Sequence, residues 1–157
     1  MAIRFPILCV VSLATALAAC ASAPTRTAPE PRPPGSGRVE VTMIGFESEE
    51  GKARIAHYLE AGSWPDGEES VFATDLLTIG DGRAVVTFED VPAGPFAVSV
   101  FHDKNENAEL DADFLGIPSE DYGFSADARD MFGPPSFEEA RLELAAGESK
   151  QITIEVK

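Results

Sequence analysis

From Arg38 onward the chain alternates apolar and polar residues with period two, and that pattern restricts it to a sheet protein. Val39, Val41 and Met43 fall on one side of an extended chain, and Arg38, Glu40 and Thr42 on the other. This is the mark of a strand buried on one face. Residues 52–60 repeat it with Ala53, Ile55, His57 and Leu59 on one side, and 71–79 predict a third strand. Asp81-Gly82 predicts a hairpin turn. Ala84, Val86 and Phe88 follow on one face, then the turn Val91-Pro92-Ala93-Gly94, then Phe96, Val98, Val100 and His102. Ala140, Leu142 and Leu144 predict one further strand face, Gly147 a turn, and Ile152, Ile154 and Val156 the last face. No segment carries an apolar helical stripe over three turns. Six or seven short strands in 38–157 predict an all-β fold, an antiparallel β-sandwich of about seven strands.

The residues before this domain read as an address and an anchor. Residues 1–19 carry a single charge, Arg4, then an apolar run that ends in small residues. A membrane-spanning helix needs about 20 apolar residues, so the run reads as an export signal instead. Leu17-Ala18-Ala19-Cys20 resembles the bacterial lipobox, which implies cleavage before Cys20 and lipidation of its thiol. Ala at position 21, rather than Asp, resembles outer-membrane sorting. The expected location is therefore the cell envelope, anchored to the outer membrane and facing the periplasm. Cys9 leaves with the signal and Cys20 takes the lipid, so the mature chain is expected to have neither a free thiol nor a disulfide. Residues 20–37 then form a tether with five of the twelve prolines. At ~3 Å per residue it could hold the domain up to ~50 Å from the bilayer.

Charge narrows the partners. The chain has 12 Lys+Arg against 27 Asp+Glu, a formal net charge of −15. It would be repelled by a phosphate backbone, so no nucleic-acid partner is expected. An anionic lipid surface would repel the folded part in the same way. Nine of the acids and two bases lie in 103–130.

That acidic stretch coincides with a break in the strand rhythm. Residues 103–136 contain no alternating run, and a loop this long in a small domain is structured for a purpose or disordered. Phe114, Tyr122, Phe124, Phe132 and Phe137 argue for order, because disordered segments are poor in aromatics. The expectation is a structured loop that packs its aromatics on the sandwich. A candidate surface site there comprises His102, Glu120, Tyr122, Phe124, Phe132 and Phe137.

Within the loop, oxygen-bearing residues recur at every second position: Asp103, Asn105, Asn107, Glu109, Asp111 and Asp113. Ca²⁺ loops supply their ligands at positions 1, 3, 5, 7 and 9. The match assigns Asp103, Asn105 and Asn107 to the first three, the Glu109 carbonyl to the seventh and Asp111 to the ninth. Position 6, normally Gly, is Ala108, and position 12 is Phe114 rather than a bidentate Glu. Asp113, Glu120 or Asp121 would complete the shell of a weak Ca²⁺ site. Without an ion, the same residues would form a solvated hairpin with Asx turns. His102 and His57 with carboxylates are the alternative set for Zn²⁺. No G-x-S-x-G elbow, Cys–His pair, phosphate loop or dinucleotide fingerprint occurs. A non-enzymatic domain is therefore expected, either one that binds an envelope protein or polymer or a purely structural spacer. The alternative is an envelope hydrolase using loop carboxylates and His102.

Four motifs in fixed order carry a resemblance. They are Pro92-x-Gly94-x-Phe96-Ala97-Val98, His102-Asp103-x-Asn105-x-Asn107-x-x-Leu110-Asp111, Gly116-Ile117-Pro118-x-Glu120-x-Tyr122-Gly123-Phe124-Ser125 and Gly133-Pro134-Pro135-Ser136-Phe137. Together they resemble bacterial domain-of-unknown-function family 2141. The family implies no activity. The strand entry around Val91–Val98 also resembles prealbumin-like and Cna-B-like sandwiches, which bears on the fold alone and agrees with a prealbumin-like or Ig-like sandwich.

Overall fold

The structure, a computed structural model, describes residues 35–130 and 133–157. The expected export segment, Cys20, most of the tether and Phe132 lie outside the described residues. Among the described residues, eight strands, a 3₁₀ turn and one short α-helix follow in the order β1 (Ser36–Ile44), β2 (Lys52–Tyr58), β3 (Val71–Leu77), β4 (Arg83–Pro92), β5 (Gly94–Asp103), β6 (Tyr122–Phe124), the 3₁₀ turn (Ser125–Asp127), α1 (Phe137–Ala140), β7 (Leu142–Leu144) and β8 (Ser149–Glu155). They form an all-β sandwich. One sheet runs β4-β1-β8, and the other runs β3-β2-β5 with β6 and β7 both laid along the free edge of β5. All pairings are antiparallel except β1–β8, which is parallel and matches Val41 with Ile152 and Met43 with Ile154.

The core is built from the alternating residues. Val39, Val41 and Met43 of β1, beside Val86 and Phe88 of β4 and Ile154 of β8, form one core with Ala53 and Ile55 of β2, Phe96, Val98 and Val100 of β5, and Val156. Burying each large side chain contributes about 1.5–3 kcal/mol. β1 begins at Ser36, two residues before the expected boundary. A Cβ on Gly37 would lie 2.5 Å from the Glu148 carbonyl, so only glycine lets the chain pass there.

The Asp81-Gly82 turn forms as expected, with φ of 54° and 67° and paired bonds between Gly80 and Arg83. The strands on either side, however, belong to different sheets, so the turn is a corner of the sandwich rather than a hairpin. Ala140 is not in a strand. It ends α1, whose first turn is set by a capping box: the Ser136 hydroxyl accepts from the Glu139 N–H, and Glu139 accepts from the Ser136 N–H. Ser136-x-x-Glu139 is readable in the sequence as a helix start.

A second apolar cluster covers the outer face of the larger sheet. Tyr58, Ala97, Phe124, Phe137 and Ala140 are buried there, with Trp64, Val71 and Tyr122 packed against them. Trp64 lies 5.2 Å from Tyr58, 5.5 Å from Phe124 and 6.0 Å from Phe137 between ring centres, and its Nε1–H donates to the Pro135 carbonyl at 2.8 Å. β6 thereby docks the long loop. A Cβ on Gly123 would lie 2.6 Å from the Glu155 carbonyl, so β6 also closes against β8 of the other sheet. Among the described residues no helix is long and apolar enough to cross a membrane.

Candidate functional site

The excursion 103–121 leaves the end of β5 and returns to β6. Its root is Asp103, whose side chain is fully buried. Oδ2 of Asp103 accepts from Nε of Arg54 on β2 and from the Ala108 N–H at 3.0 Å, while Oδ1 accepts from the Asn107 N–H at 3.0 Å. Gly51, at φ +67°, lies against the same point, where a Cβ would come within 2.0 Å of the Asp103 carbonyl.

Asx turns continue the path. Asn105 Oδ1 accepts from the Asn107 N–H at 3.0 Å, and Asn107 Oδ1 from the Glu109 N–H at 2.8 Å. The two Asn amides donate to the Asp111 carboxylate, at 2.6 Å from Asn105 and 3.0 Å from Asn107. Ala108, at the position where Ca²⁺ loops carry Gly, holds φ +72°. Glu120, also buried, clamps the two arms: its carboxylate accepts from the Lys104 N–H at 2.7 Å and the Asp111 N–H at 3.1 Å. The alternating pattern thus folds into a compact knot joining Asp103, Asn105, Asn107 and Asp111. Asp113 is turned away from it, toward the tip of the excursion, where its Oδ1 accepts from the Leu115 and Ile117 N–H groups. Glu109 is exposed. Among the described residues no three of His, Cys, Asp and Glu cluster as metal ligands. A hard cation here would draw on the Asp103 and Asp111 carboxylates together with amide and main-chain oxygens.

His102 lies beside the root, fully buried against Phe46. Its Nε2 is 2.7 Å from the Glu50 carbonyl, so Nε2 carries the hydrogen. Its Nδ1 is 3.7 Å from Asp121 Oδ2 and has no hydrogen-bond partner among the described residues. Lys104 reaches Glu47 at 3.2 Å and Asp121 at 3.4 Å. Burial pulls the Lys104 ammonium down, but these two carboxylates more than offset it and hold its pKa above the usual lysine range. His57 is elsewhere, in the sandwich core between Phe72, Phe88 and Phe96. The two histidines therefore do not form one metal site.

Of the expected surface residues, His102, Glu120, Phe124 and Phe137 are buried and offer no surface to a partner. Their aromatic and polar character serves packing and clamping. Tyr122 is half-buried and lines a cleft with Arg129 and Pro135. Phe114 does not pack on the sandwich. It is 94% exposed at the tip, with Leu115 at 68% and Ile117 at 58%. No sequence signal marks this exposure, because Phe-Leu-Gly-Ile reads as apolar as a core segment and only its place at the tip beyond the Ala112–Pro118 bridge leaves it uncovered.

An all-β sandwich with an excursion hydrogen-bonded from within defines a rigid module of the bacterial kind sketched by the motifs. The match to a family model is direct: residues 41–153 fit the family described as uncharacterized proteins conserved in bacteria. The chain belongs to domain-of-unknown-function family 2141. No curated protein and no solved structure matches the chain.

Proposed function

We propose that this chain is a lipid-anchored envelope protein whose sandwich is a non-enzymatic binding or structural module. Cys20 would hold it to the outer membrane on the periplasmic side, and the 20–37 tether would let it present the 103–121 excursion to an envelope protein or polymer. The observation that carries the reading is the use made of the excursion's charged groups. Asp103 is matched by Arg54, and Glu120 spans two backbone N–H groups. These are the bonds of a scaffold that holds a shape. The hydrolase alternative needs His102 as a base facing solvent, and its side chain is sealed in. Cell fractionation of Cys20→Ser tests the anchor. The variant should move from the membrane to the soluble periplasmic fraction, and persistence in the membrane would overturn the reading.

A second reading assigns Ca²⁺ to the knot. It is favoured by the convergence of Asp103, Asn105, Asn107 and Asp111 and by the left-handed φ at Ala108, which reproduces the turn a Ca²⁺ loop makes with Gly. With a Kd near ~1 mM, 10 mM Ca²⁺ should stabilise the fold by about 1.4 kcal/mol. The thermal midpoint should rise with Ca²⁺, return with chelator, and stay flat in Asp111→Ala. A parent midpoint that ignores Ca²⁺ removes the ion from this site.

A further inference from the structure

Phe114, Leu115 and Ile117 are the most exposed large apolar side chains among the described residues, at 94%, 68% and 58%. Together they present roughly 400 Å² of apolar surface, the scale at which exposed patches mark contact sites. They do not dangle. Asp113 Oδ1 accepts from the Leu115 N–H at 2.8 Å and the Ile117 N–H at 3.0 Å, and the Asp113 carbonyl accepts from the Gly116 N–H at 2.9 Å. The Asp113 N–H donates to the Ile117 carbonyl at 2.8 Å, and one step lower the Ser119 N–H donates to the Asp111 carbonyl at 2.8 Å. The apolar tip is thus held out on a hydrogen-bonded hairpin arm rooted in the buried Asp103.

We infer that this tip is the docking element of the module, and that Phe114, Leu115 and Ile117 enter an apolar pocket rimmed by Lys and Arg on another protein of the envelope. The inference rests on the reading of the chain as an envelope binding module and names its partner's chemistry. Charge selects that occupant. Glu109, Asp111 and Asp113 lead straight into the tip, and the one base of residues 103–118, Lys104, already serves Glu47 and Asp121. An anionic lipid surface would meet these carboxylates as the tip approached. A second copy of this chain would bring another net −15. A basic-rimmed apolar pocket satisfies both the apolar tip and its acidic collar, with the aromatic ring as the buried anchor.

The test places a photoreactive phenylalanine analogue at Leu115 of the full-length chain in its own envelope. A second position, Phe72 on the edge strand β3, serves for comparison. The tip proposal expects an adduct with one protein from position 115 and not from 72, mapping to an apolar pocket flanked by Lys or Arg. Phe114→Ser should cut its yield about tenfold and Glu109→Lys about fivefold, with melting unchanged in both. An adduct from 115 to lipid, to a second copy or to a surface without that pocket overturns the proposal. So does one indifferent to Phe114→Ser. Adducts from 72 alone overturn tip docking and leave the binding module standing, whereas none from either position overturns both.

Discussion

Arg54 on β2 and Asp103 at the end of β5 form the ion pair from which the acidic excursion grows, with Nε of Arg54 donating to Oδ2 of Asp103. The carboxylate has no solvent exposure, while the arginine side chain is 29% exposed. Burial pushes the Asp103 carboxyl up. The Arg54 guanidinium and the N–H groups of Ala108 and Asn107 push it down further, and the net result lies below the usual carboxylate range.

Removing the cation should therefore be costly. Arg54→Met leaves a buried charge with only backbone partners and should destabilise the fold by about 2–3 kcal/mol. Arg54→Met with Asp103→Asn should recover part of that in urea unfolding. The pH dependence has a definite sign. A carboxyl with a depressed folded pKa contributes stability that is present above its unfolded value, near 3.8, and lost as pH falls through the folded one. Asp103→Asn should flatten the acid limb of stability below about pH 4, and an unchanged limb would show that Asp103 does not drive it.

His57 governs a different window. Both ring nitrogens are buried without hydrogen-bond partners among the described residues, and burial pushes its pKa down to about 4. The unfolded chain then binds the extra proton between about pH 6.5 and 4, so stability is complete above 6.5 and falls by about 3 kcal/mol on the way to 4. His57→Met should remove that slope. It should also stabilise the protein at pH 7 by about 1–2 kcal/mol, because two orphaned polar atoms leave the core. Melts across this range check both.

Ala108 holds a left-handed φ of +72°. That conformation is unfavourable for any residue with a Cβ by about 1–2 kcal/mol, and glycine relieves it while adding some entropy to the unfolded chain. Ala108→Gly should stabilise the fold by about 0.5–1 kcal/mol, seen as a higher thermal midpoint. A lower midpoint would mean that this turn is not strained.

Phe137 pins the far end of the long loop to the larger sheet, packed at 6.0 Å from Trp64. Phe137→Ala should cost about 3–4 kcal/mol. Trp64 is the single tryptophan of the chain, so the same variant should red-shift its emission as water reaches the indole. Unshifted emission would place the two rings apart in solution.

The core strands were legible because burial on one face writes a period of two into each of them, from Val39-Val41-Met43 to Phe96-Val98-Val100. β6 was not, since three residues are too few to show a period, and Ala140 was misplaced because its helix is announced only by the cap Ser136-x-x-Glu139. The turn at Asp81-Gly82 was readable from local φ preference. The sheets it connects were not, because sheet membership depends on partners far along the chain.

The sequence by itself determined the all-β class and the stretch where oxygen-bearing side chains gather, since both follow from local spacing, and its ordered motifs carried the resemblance to the family. Tertiary structure decided which side chains a partner could reach. His102, Glu120, Phe124 and Phe137 look like site residues in a list of letters, yet they are buried by strands that arrive from elsewhere. Phe114, Leu115 and Ile117 look like core, yet none of the described residues forms a second layer over the hairpin tip. Exposure is a property of what packs above a residue, and only the folded chain supplies that layer.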